Sequence, residues 1–309
     1  MGLDRDEKLP YFSVVIPLYN RAHLIQRTLK SVLEQTCQDF EIVIVDDGSS
    51  DNPEPVIREL ADDRIRYFRF PNEGGGGARN RGVDLARGTY VAFLDSDDLF
   101  LPKKLEQFKA LLTGDPLLIG YSLMKVDRGV GRYWIRPTRG IRRDEDVGEY
   151  LFVSNEFIQT STIVIPRELA AQVRFDPSLR KGQDLDYCLR LQRAGARFVM
   201  IEEPLVIWLD ETEVGRTSRV TGYAEPTEWL ERRKTLLSPK AVLGYRATVL
   251  AYYRAPSHPA SVAKDLFLAW ATAGVPSRVV VRQILRSYLP KATYRRLVNY
   301  FVRTIGSES

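Results

Sequence analysis

The 309-residue sequence predicts an α/β protein with a mostly parallel sheet and a helical extension at its C-terminus. Two observations carry this prediction. Over the first 120 residues, continuous β-branched runs such as "FSVVI" and "EIVIV" alternate with stretches of helical periodicity, which is typical of strands covered by helices on both faces. Beyond about Tyr223 the apolar pattern is helical only.

The first half has a strand-and-helix rhythm, with turn residues between the elements. The helix that opens at "DDLFLPKKLEQF" is expected to begin near Asp98, and the run "EGGGG" is expected to precede a helix rather than to form part of it. Strands are predicted at 12–16, 41–45, 65–70 and 90–94, and helices at 21–35, 55–60 and 78–86.

The second half predicts two strands around "DRGVGR" and later a strand at "FVMIEEPLVIWL". A domain at 1–222 is expected, with a nucleotide-binding half at about 11–100 and an acceptor half at about 101–222, followed by a helical extension at 223–309. The other predicted helices are 145–153, one starting after "QTSTIVIP", an amphipathic helix ended by Gly195, and 260–272, 278–289 and 291–305.

Polar clusters follow the predicted strands where each ends: "PLYN", "DDGSSD" and "DSDD". In parallel sheets ligands collect at the carboxyl ends of the strands, so these clusters predict one site. Three carboxylates, Asp95, Asp97 and Asp98, fall within four positions and repel one another unless compensated. A divalent cation would compensate them, and so would a helix N-terminus, an alternative left open for Asp98.

Four segments resemble, in order and spacing, the inverting family 2 glycosyltransferases of GT-A fold: "SVVIPLYNRAHLIQRTLKSVLEQT", "FEIVIVDDGSSD", "NEGGGGARNRGVDLARGTYVAFLDSDDLFLP" and "GQDLDYCLRL". The resemblance covers about residues 11–210. It implies a Rossmann-like GT-A domain that transfers a sugar from a nucleotide sugar, with a UDP-sugar expected, to a saccharide or lipid-linked saccharide acceptor. Polysaccharide or glycoconjugate biosynthesis is the expected context.

The resemblance also assigns roles to individual residues. Pro17, Tyr19 and Asp47 would hold the nucleotide base, Asp95 would approach the ribose, and Asp97 would bind the Mn²⁺ or Mg²⁺ that bridges the two phosphates. The glycine run permits either a close approach of backbone to phosphate or a mobile loop. Of the two arginines that follow, Arg79 is the one expected to face the diphosphate.

Inverting transfer needs a base for the acceptor hydroxyl. The resembled family uses the aspartate of a Glu-Asp pair that opens a helix, and here the pair reads Gln183-Asp184. Asp184 is therefore the expected base. The neutral Gln183 removes a like charge and would let the pKa of Asp184 stay lower. Asp184 as an ordinary first-turn acid is the alternative. An aromatic, Trp208, precedes "LDETEVGRTSR", a loop that could place it over an acceptor sugar or leave it in the core.

The net charge of +5 is uneven, because residues 231–309 carry fourteen Lys and Arg against three acids, which gives +11 and leaves −6 for the rest. This basic, amphipathic tail predicts either an anionic membrane surface as partner or helices packed with a solvated basic face; nucleic acid is not expected. The polar N-terminus and the lack of any run of 18 apolar residues predict a cytoplasmic protein, peripheral on the membrane if the first alternative holds.

Two other functions compete with glycosyl transfer. A sugar-phosphate nucleotidyltransferase would also place a nucleotide on a parallel sheet, but it would want a glycine-rich basic loop after the first strand, and "PLYNRAHL" has no glycine. A catalytically inactive nucleotide-binding protein of the same fold is the third possibility, disfavoured by the presence of Asp95, Asp97 and Asp184.

Overall fold

The structure is a computed structural model and describes residues 9–210 and 222–306. The polar N-terminal octapeptide and most of the predicted acceptor-side loop, residues 211–221, lie outside the described residues, as do 307–309.

The described chain alternates strands and helices up to residue 209 and is helical from residue 224 onwards, as predicted. A π-helical turn, Glu149–Val153, stands where the short helix at 145–153 was expected, and a second such turn is Arg246–Leu250. The strands are β1 (Phe12–Leu18), β2 (Phe40–Asp46), β3 (Ile65–Arg69), β4 (Tyr90–Phe93), β5 (Leu99–Phe100), β6 (Leu118–Asp127), β7 (Tyr133–Arg136), β8 (Val164–Pro166) and β9 (Arg197–Leu209). The α-helices are α1 (Ala22–Leu33), α2 (Glu54–Arg58), α3 (Gly74–Leu85), α4 (Lys104–Leu111), α5 (Arg167–Gln172), α6 (Gln183–Arg193), α7 (Ala224–Arg233), α8 (Pro239–Tyr245), α9 (Ala251–Arg254), α10 (Pro259–Ala273), α11 (Ser277–Tyr288) and α12 (Lys291–Ile305).

The sheet has the strand order β3-β2-β1-β4-β8-β6-β9-β5. Its first four strands are parallel, with β1 between β2 and β4. The strands that follow pair antiparallel where β4 meets β8, where β8 meets β6 and where β5 meets β9. The strands β2 and β3 lie on one side of β1, and the next strand along the chain, β4, lies on its other side. The gap between β1 and β4 is therefore the topological switch point, where ligands of α/β sheets bind.

Burial explains why the parallel strands β1, β2 and β4 are mostly apolar. All seven residues of β2 are buried, as are all four of β4, so neither strand has a solvated face to mark with polar residues. Ser13 of β1 and Glu41 of β2 are polar residues buried within this layer, and the Ser13 hydroxyl donates to Glu41 Oε1 at 2.7 Å. Glu41 in turn pairs with Arg66, so the buried charge is compensated.

The described chain divides into two compact units that interleave along the sequence. The first comprises Met1–Lys125, Gln159–Tyr187 and Gly195–Leu209, and the second comprises Val126–Ile158, Cys188–Ala194 and Asp210–Ser309. The expected division into 1–222 and 223–309 stays a prediction.

Each unit has its own apolar core. In the first, Phe93 of β4 meets Phe175 edge-on at 5.2 Å, and Phe175 stacks on Tyr187 at 3.9 Å, which fixes α6 behind the sheet. In the second, α8 to α11 bury small and branched residues including Ala247, Val262 and Leu266. Within the described residues, we find no helix that is both long and apolar enough to cross a bilayer.

Candidate active site

The predicted site residues of the first unit lie at the carboxyl ends of its parallel strands. Pro17 and Tyr19 come from the end of β1, Asp47 follows β2, and Asp95 and Asp97 follow β4. Strand register places these ends together, because Leu18 is opposite Asp46, and the amide of Leu94 donates to the carbonyl of Val15 at 3.0 Å. The backbone therefore brings the polar clusters to one edge of the sheet, and their role as a single site stays a prediction.

Two adjacent aspartates after β2 differ in what they contact. Asp46 is fully buried and accepts from Tyr67 Oη at 2.5 Å and from the amide of Ser49 at 2.8 Å, so its carboxylate fixes the turn. Asp47 Oδ1 accepts from the amide of Glu73 at 2.7 Å, and burial raises the pKa of Asp47. Nearby, the ring of Tyr19 is exposed.

Arg79 connects two parts of the site. Its Nη2 donates to Asp95 Oδ1, and its Nη1 donates to Gln183 Oε1 at 2.5 Å. The guanidinium also lies 5.4 Å from the ring centre of Phe175, and the residue is only 7% exposed. A buried arginine held at three sides keeps a fixed position. By contrast, Arg81 pairs with Glu73 on the surface, so of the two arginines Arg79 is the one inside the site.

The glycine run forms the first turn of α3, which begins at Gly74 rather than at Ala78. The predicted helix start was therefore four residues late, and the alternative of a mobile loop is wrong. Packing explains the composition: a Cβ on Gly76 would lie 3.0 Å from the carbonyl oxygen of Asp176, and one on Gly77 would lie 2.7 Å from Glu73 Cβ. Side chains at these positions would push the helix start away from its neighbours.

Asp98 is not at a helix start. The helix expected there begins six residues later, at Lys104, because Leu99 and Phe100 pair instead with Ile207 and Val206 of β9. The Asp98 carboxylate turns inward, where its Oδ2 accepts from Ser161 Oγ at 2.6 Å and from Gln159 Nε2 at 2.8 Å.

Burial, aided by the neighbouring carboxylates, raises the pKa of Asp98 well above its usual range. The third carboxylate of "DSDD" is therefore held by side-chain hydrogen bonds inside the protein rather than by a helix N-terminus. Gln159 and Ser161 also contact Asp95: the Asp95 amide donates to Ser161 Oγ at 3.0 Å, and Gln159 Nε2 lies 3.4 Å from Asp95 Oδ2. These two side chains therefore hold both Asp95 and Asp98 in the loop after β4.

Asp97 is the more accessible carboxylate of this loop. Its side chain is 34% exposed, and its Oδ2 lies 3.7 Å from Arg21 Nε, which is an ion pair without hydrogen-bond geometry. Among residues 9–210 and 222–306, no three His, Cys, Asp or Glu side chains converge as a ready-made metal cage.

Asp184 occupies the first turn of α6, next to Gln183. Its Oδ1 accepts from the amide of Leu185 at 2.9 Å. This hydrogen bond stabilises the start of α6, as expected if Asp184 is an ordinary first-turn acid. Burial raises the pKa of Asp184 to about 6, while Arg79 opposes the rise and Asp95 adds to it. Burial thus outweighs the absence of a like charge at Gln183, which the sequence predicted would keep the pKa lower.

The sequence did not indicate Gln159, Ser161 or Arg21 as site residues. A signal was present for the first two: "QTST" is a polar cluster that precedes the strand "IVIP". Because β8 runs antiparallel to β4, with Ala92 opposite Val164, the residues before β8 lie at the same edge as those after β4. Only the strand direction, which the sequence does not show, makes that cluster part of the site.

Comparisons with known proteins identify the family of the chain. The model of the family "Glycosyl transferase family 2" matches residues 13–172, which is just over half of the chain. The amylovoran biosynthesis glycosyltransferase AmsB of Erwinia amylovora is 36% identical over 247 residues, or 76% of this chain and 82% of that protein. A GalNAc(5)-diNAcBac-PP-undecaprenol beta-1,3-glucosyltransferase of Campylobacter jejuni is 26% identical over 83% of this chain and 85% of its own length.

Among solved structures, the crystal structure of S. aureus TarS 1-349 in complex with UDP-GlcNAc aligns with 95% of this chain and 90% of its own, with a TM-score of 0.61 at 20% identity. This likeness concerns the fold, and it confirms the predicted GT-A architecture. Together with the family match, it leads to one conclusion: the chain belongs to Glycosyl transferase family 2 and is a glycosyltransferase.

Proposed function

We propose that the protein is a metal-dependent, inverting glycosyltransferase that moves a sugar from a UDP-sugar to a hydroxyl of a glycan or lipid-linked saccharide. The observation that carries this proposal is the contact of Arg79 with both Asp95 and Gln183, since it ties the loop after β4 to the helix start that bears Asp184. The residues proposed to bind the donor and the residue proposed to accept the proton are thereby held in fixed positions relative to one another.

The donor end of the site has the groups that a nucleotide requires. The exposed ring of Tyr19 is available to a base, with Pro17 behind it in the strand end, and Asp47 is a carboxylate that can accept from a uracil N–H. Accepting a hydrogen bond favours the ionised form, so binding would oppose the raised pKa of Asp47. Asp95 is the carboxylate proposed to approach the ribose.

The diphosphate would meet Arg79 and the first turn of α3. The first amides of a helix lack partners within the helix and attract anions, and Arg79 adds a full charge. Arg79 donates to the Asp95 carboxylate and to Gln183, which is neutral. Because only one of these two partners is charged, the guanidinium retains attraction for a second anion.

The donor set of the acidic loop fits a Mn²⁺ or Mg²⁺ ion that arrives with its substrate. Such ions are bound by one or two carboxylates together with substrate phosphates, and Asp97 is the partly exposed carboxylate of this loop. Asp98 is turned inward and would not compete. When bound, the cation would neutralise charge that develops on the departing diphosphate.

Asp184 is the proposed base. At neutral pH a carboxylate with a pKa of about 6 is ionised, yet it is a better proton acceptor than an ordinary aspartate. It would take the proton of the acceptor hydroxyl as that oxygen attacks the anomeric carbon from the face opposite the leaving group. A direct displacement of this kind inverts the anomeric configuration.

The acceptor class is supported by the relatives. One is named for biosynthesis of the polysaccharide amylovoran, and another acts on an undecaprenol-linked oligosaccharide. A lipid-linked acceptor places the reaction at a membrane, and the charge of +11 over residues 231–309 suits an anionic membrane face. We therefore propose a cytoplasmic enzyme, peripheral on the membrane, in which 1–222 is catalytic and 223–309 contributes to attachment.

The test is release of nucleoside diphosphate. Purified protein with Mn²⁺ is incubated with a panel of nucleotide sugars, with and without lipid-linked saccharides, and the product anomer is assigned by NMR. UDP release that depends on both metal and acceptor, with an inverted anomer, is expected. Pyrophosphate release from a nucleoside triphosphate and a sugar phosphate would instead indicate a nucleotidyltransferase, and donor binding without turnover would indicate an inactive relative.

A further inference from the structure

The second unit contains a cleft whose lining is mostly apolar. It has a volume of about 570 Å³ and lies between β7, α11 and α12. Val281, Leu285 and Leu297 line it, together with Phe301 and Ile305. Val281 is 55% exposed and Ile305 is 75% exposed, so the apolar surface continues from the cleft onto the outside of both helices. Exposed apolar surface of this kind marks a binding site more often than it marks a plain surface.

A group of arginines lies beside this lining. Arg278 and Arg282 line the cleft, and Arg282 Nη2 donates to the side-chain oxygen of Asn155. Arg136 is close by and donates to the backbone oxygen of the same Asn155 at 2.7 Å. Burial lowers the pKa of Arg136, and the nearby positive charges of Arg282 and Arg278 lower it further, which shows that the three guanidiniums lie in one environment.

One carboxylate, Glu156, offsets these charges from within the same environment. Its two oxygens are occupied by Thr138, whose amide donates at 2.7 Å and whose hydroxyl donates to the other oxygen. Among the described residues named here, three guanidiniums meet one carboxylate, which leaves positive charge at the cleft. Arg136 and Arg282 are partly removed from water, where an incoming anion is held more strongly than on an open surface, whereas Arg278 is exposed at the mouth.

We propose that this cleft binds one molecule of an anionic phospholipid, with a hydrocarbon chain between α11 and α12 and the phosphate on Arg278 and Arg282. The apolar lining and the adjoining arginines are complementary to a ligand that has a long apolar part directly joined to an anionic head. Its volume falls within the range of roughly 300–1,000 Å³ that is usual for small-ligand sites. A chain inserted beside a basic surface supplies the two signals that stable attachment to a membrane requires.

This inference rests on the proposed membrane association and makes it specific. General attraction to a charged surface would use all exposed arginines of α11 and α12 alike. Arg278, Arg296 and Arg303 are all exposed, but Arg278 lines the cleft and the other two do not. Trp134 lines the cleft and reports directly on what enters it.

The experiment uses the full-length chain and phosphatidylglycerol vesicles whose acyl chains carry bromine, a contact quencher of tryptophan. Quenching is compared between the wild-type protein and Trp134→Phe, so that the exposed Trp270 contributes equally to both. We expect the quenched fraction to fall markedly in Trp134→Phe, and phosphatidylcholine vesicles to give little quenching of either protein. In sedimentation with unbrominated phosphatidylglycerol, Arg278→Ala should weaken binding about tenfold and the matched Arg296→Ala about fivefold or less.

Several results would overturn the inference. Vesicle binding with equal quenching in the wild type and Trp134→Phe, or equal losses in the two arginine variants, would leave membrane association in place and remove the cleft from it. Absence of any vesicle binding would remove both, while UDP release remains a separate test of catalysis. A dimer in sedimentation velocity that Phe301→Glu dissociates, with no quenching of Trp134, would assign the cleft to a second copy of the chain.

Discussion

Replacing Asp184 by asparagine should make the protein more stable and nearly inactive at the same time. The side chain is buried enough that its pKa rises from 3.8 to about 6, and its Oδ1 accepts from the amide of Leu185. Asparagine keeps an oxygen acceptor for that amide and removes the charge. The variant therefore removes the free-energy cost of a buried carboxylate while it keeps the hydrogen bond from the amide of Leu185.

The magnitude follows from linkage between protonation and folding. Because the pKa is raised in the folded state, the folded chain binds the proton more tightly than the unfolded chain, and Asp184 lowers the free energy of unfolding as pH rises through the interval from 3.8 to about 6. Above that interval the full penalty is about 3 kcal/mol, an upper figure because the side chain retains some exposure. At pH 5 about half of this penalty applies.

The assay is urea denaturation of the wild type and Asp184→Asn at pH 8 and pH 5. We expect a gain in the free energy of unfolding of up to about 3 kcal/mol at pH 8 and a gain about half as large at pH 5. In the same variant, turnover should fall by about 10²–10⁴ with donor affinity retained, as for loss of a general base. For the wild type, kcat/KM should fall about tenfold per pH unit below about 6.

Two results would refute this reasoning. A variant no more stable than the wild type at pH 8 would mean that Asp184 is not held at a raised pKa. Retained turnover in Asp184→Asn would remove the residue from the role of base, whatever its effect on stability.

Three further predictions concern other parts of the first unit. Asp97→Asn should lose the metal-dependent part of UDP affinity in calorimetry and keep the metal-independent part; equal loss with and without Mn²⁺ would contradict its role as ligand. Lys104 is fully buried with its pKa lowered well below the usual value, so Lys104→Met should raise the thermal midpoint, most clearly at neutral pH and less at pH 10; an unchanged midpoint would show that the amine is not penalised. Gly82→Ala would place a Cβ 2.2 Å from Val15 Cγ1 and should destabilise by about 1–3 kcal/mol, with Val15→Ala restoring part of the loss if that clash is the cause.

The sequence predicts the parallel half of this fold well because its signals are local. Continuous apolar runs identify β1, β2 and β4, whose residues are buried on both faces, and the polar residues that follow each strand converge by topology alone. The helical extension is equally well predicted, with 260–272, 278–289 and 291–305 observed as Pro259–Ala273, Ser277–Tyr288 and Lys291–Ile305.

The predictions that failed concern residues whose structure depends on contacts distant in the sequence. Leu99 and Phe100 read as the start of a helix, but they form a strand because β9 supplies partners more than a hundred residues away. The glycines before Ala78 have poor helix propensity, yet they form the first turn of α3, where the backbone at Asp176 leaves no room for a side chain on Gly76.

The candidate site shows the same limit. Its strand-end carboxylates were recognisable from spacing, whereas the distinction between them depends on the surroundings of each. Asp98 and Asp97 are neighbours in sequence, but Ser161 holds the former inside while Arg21 meets the latter at the surface. The raised pKa of Asp184 likewise comes from burial, which its helix-start position did not indicate.

The most direct test of the account is a crystal structure of the protein with UDP and Mn²⁺, with data collected for anomalous scattering from manganese. We predict a manganese peak in contact with the carboxylate of Asp97 and with both phosphates, and a uracil ring beside Asp47. A peak remote from residue 97, or UDP bound away from the carboxyl ends of β1 and β4, would contradict the central claim.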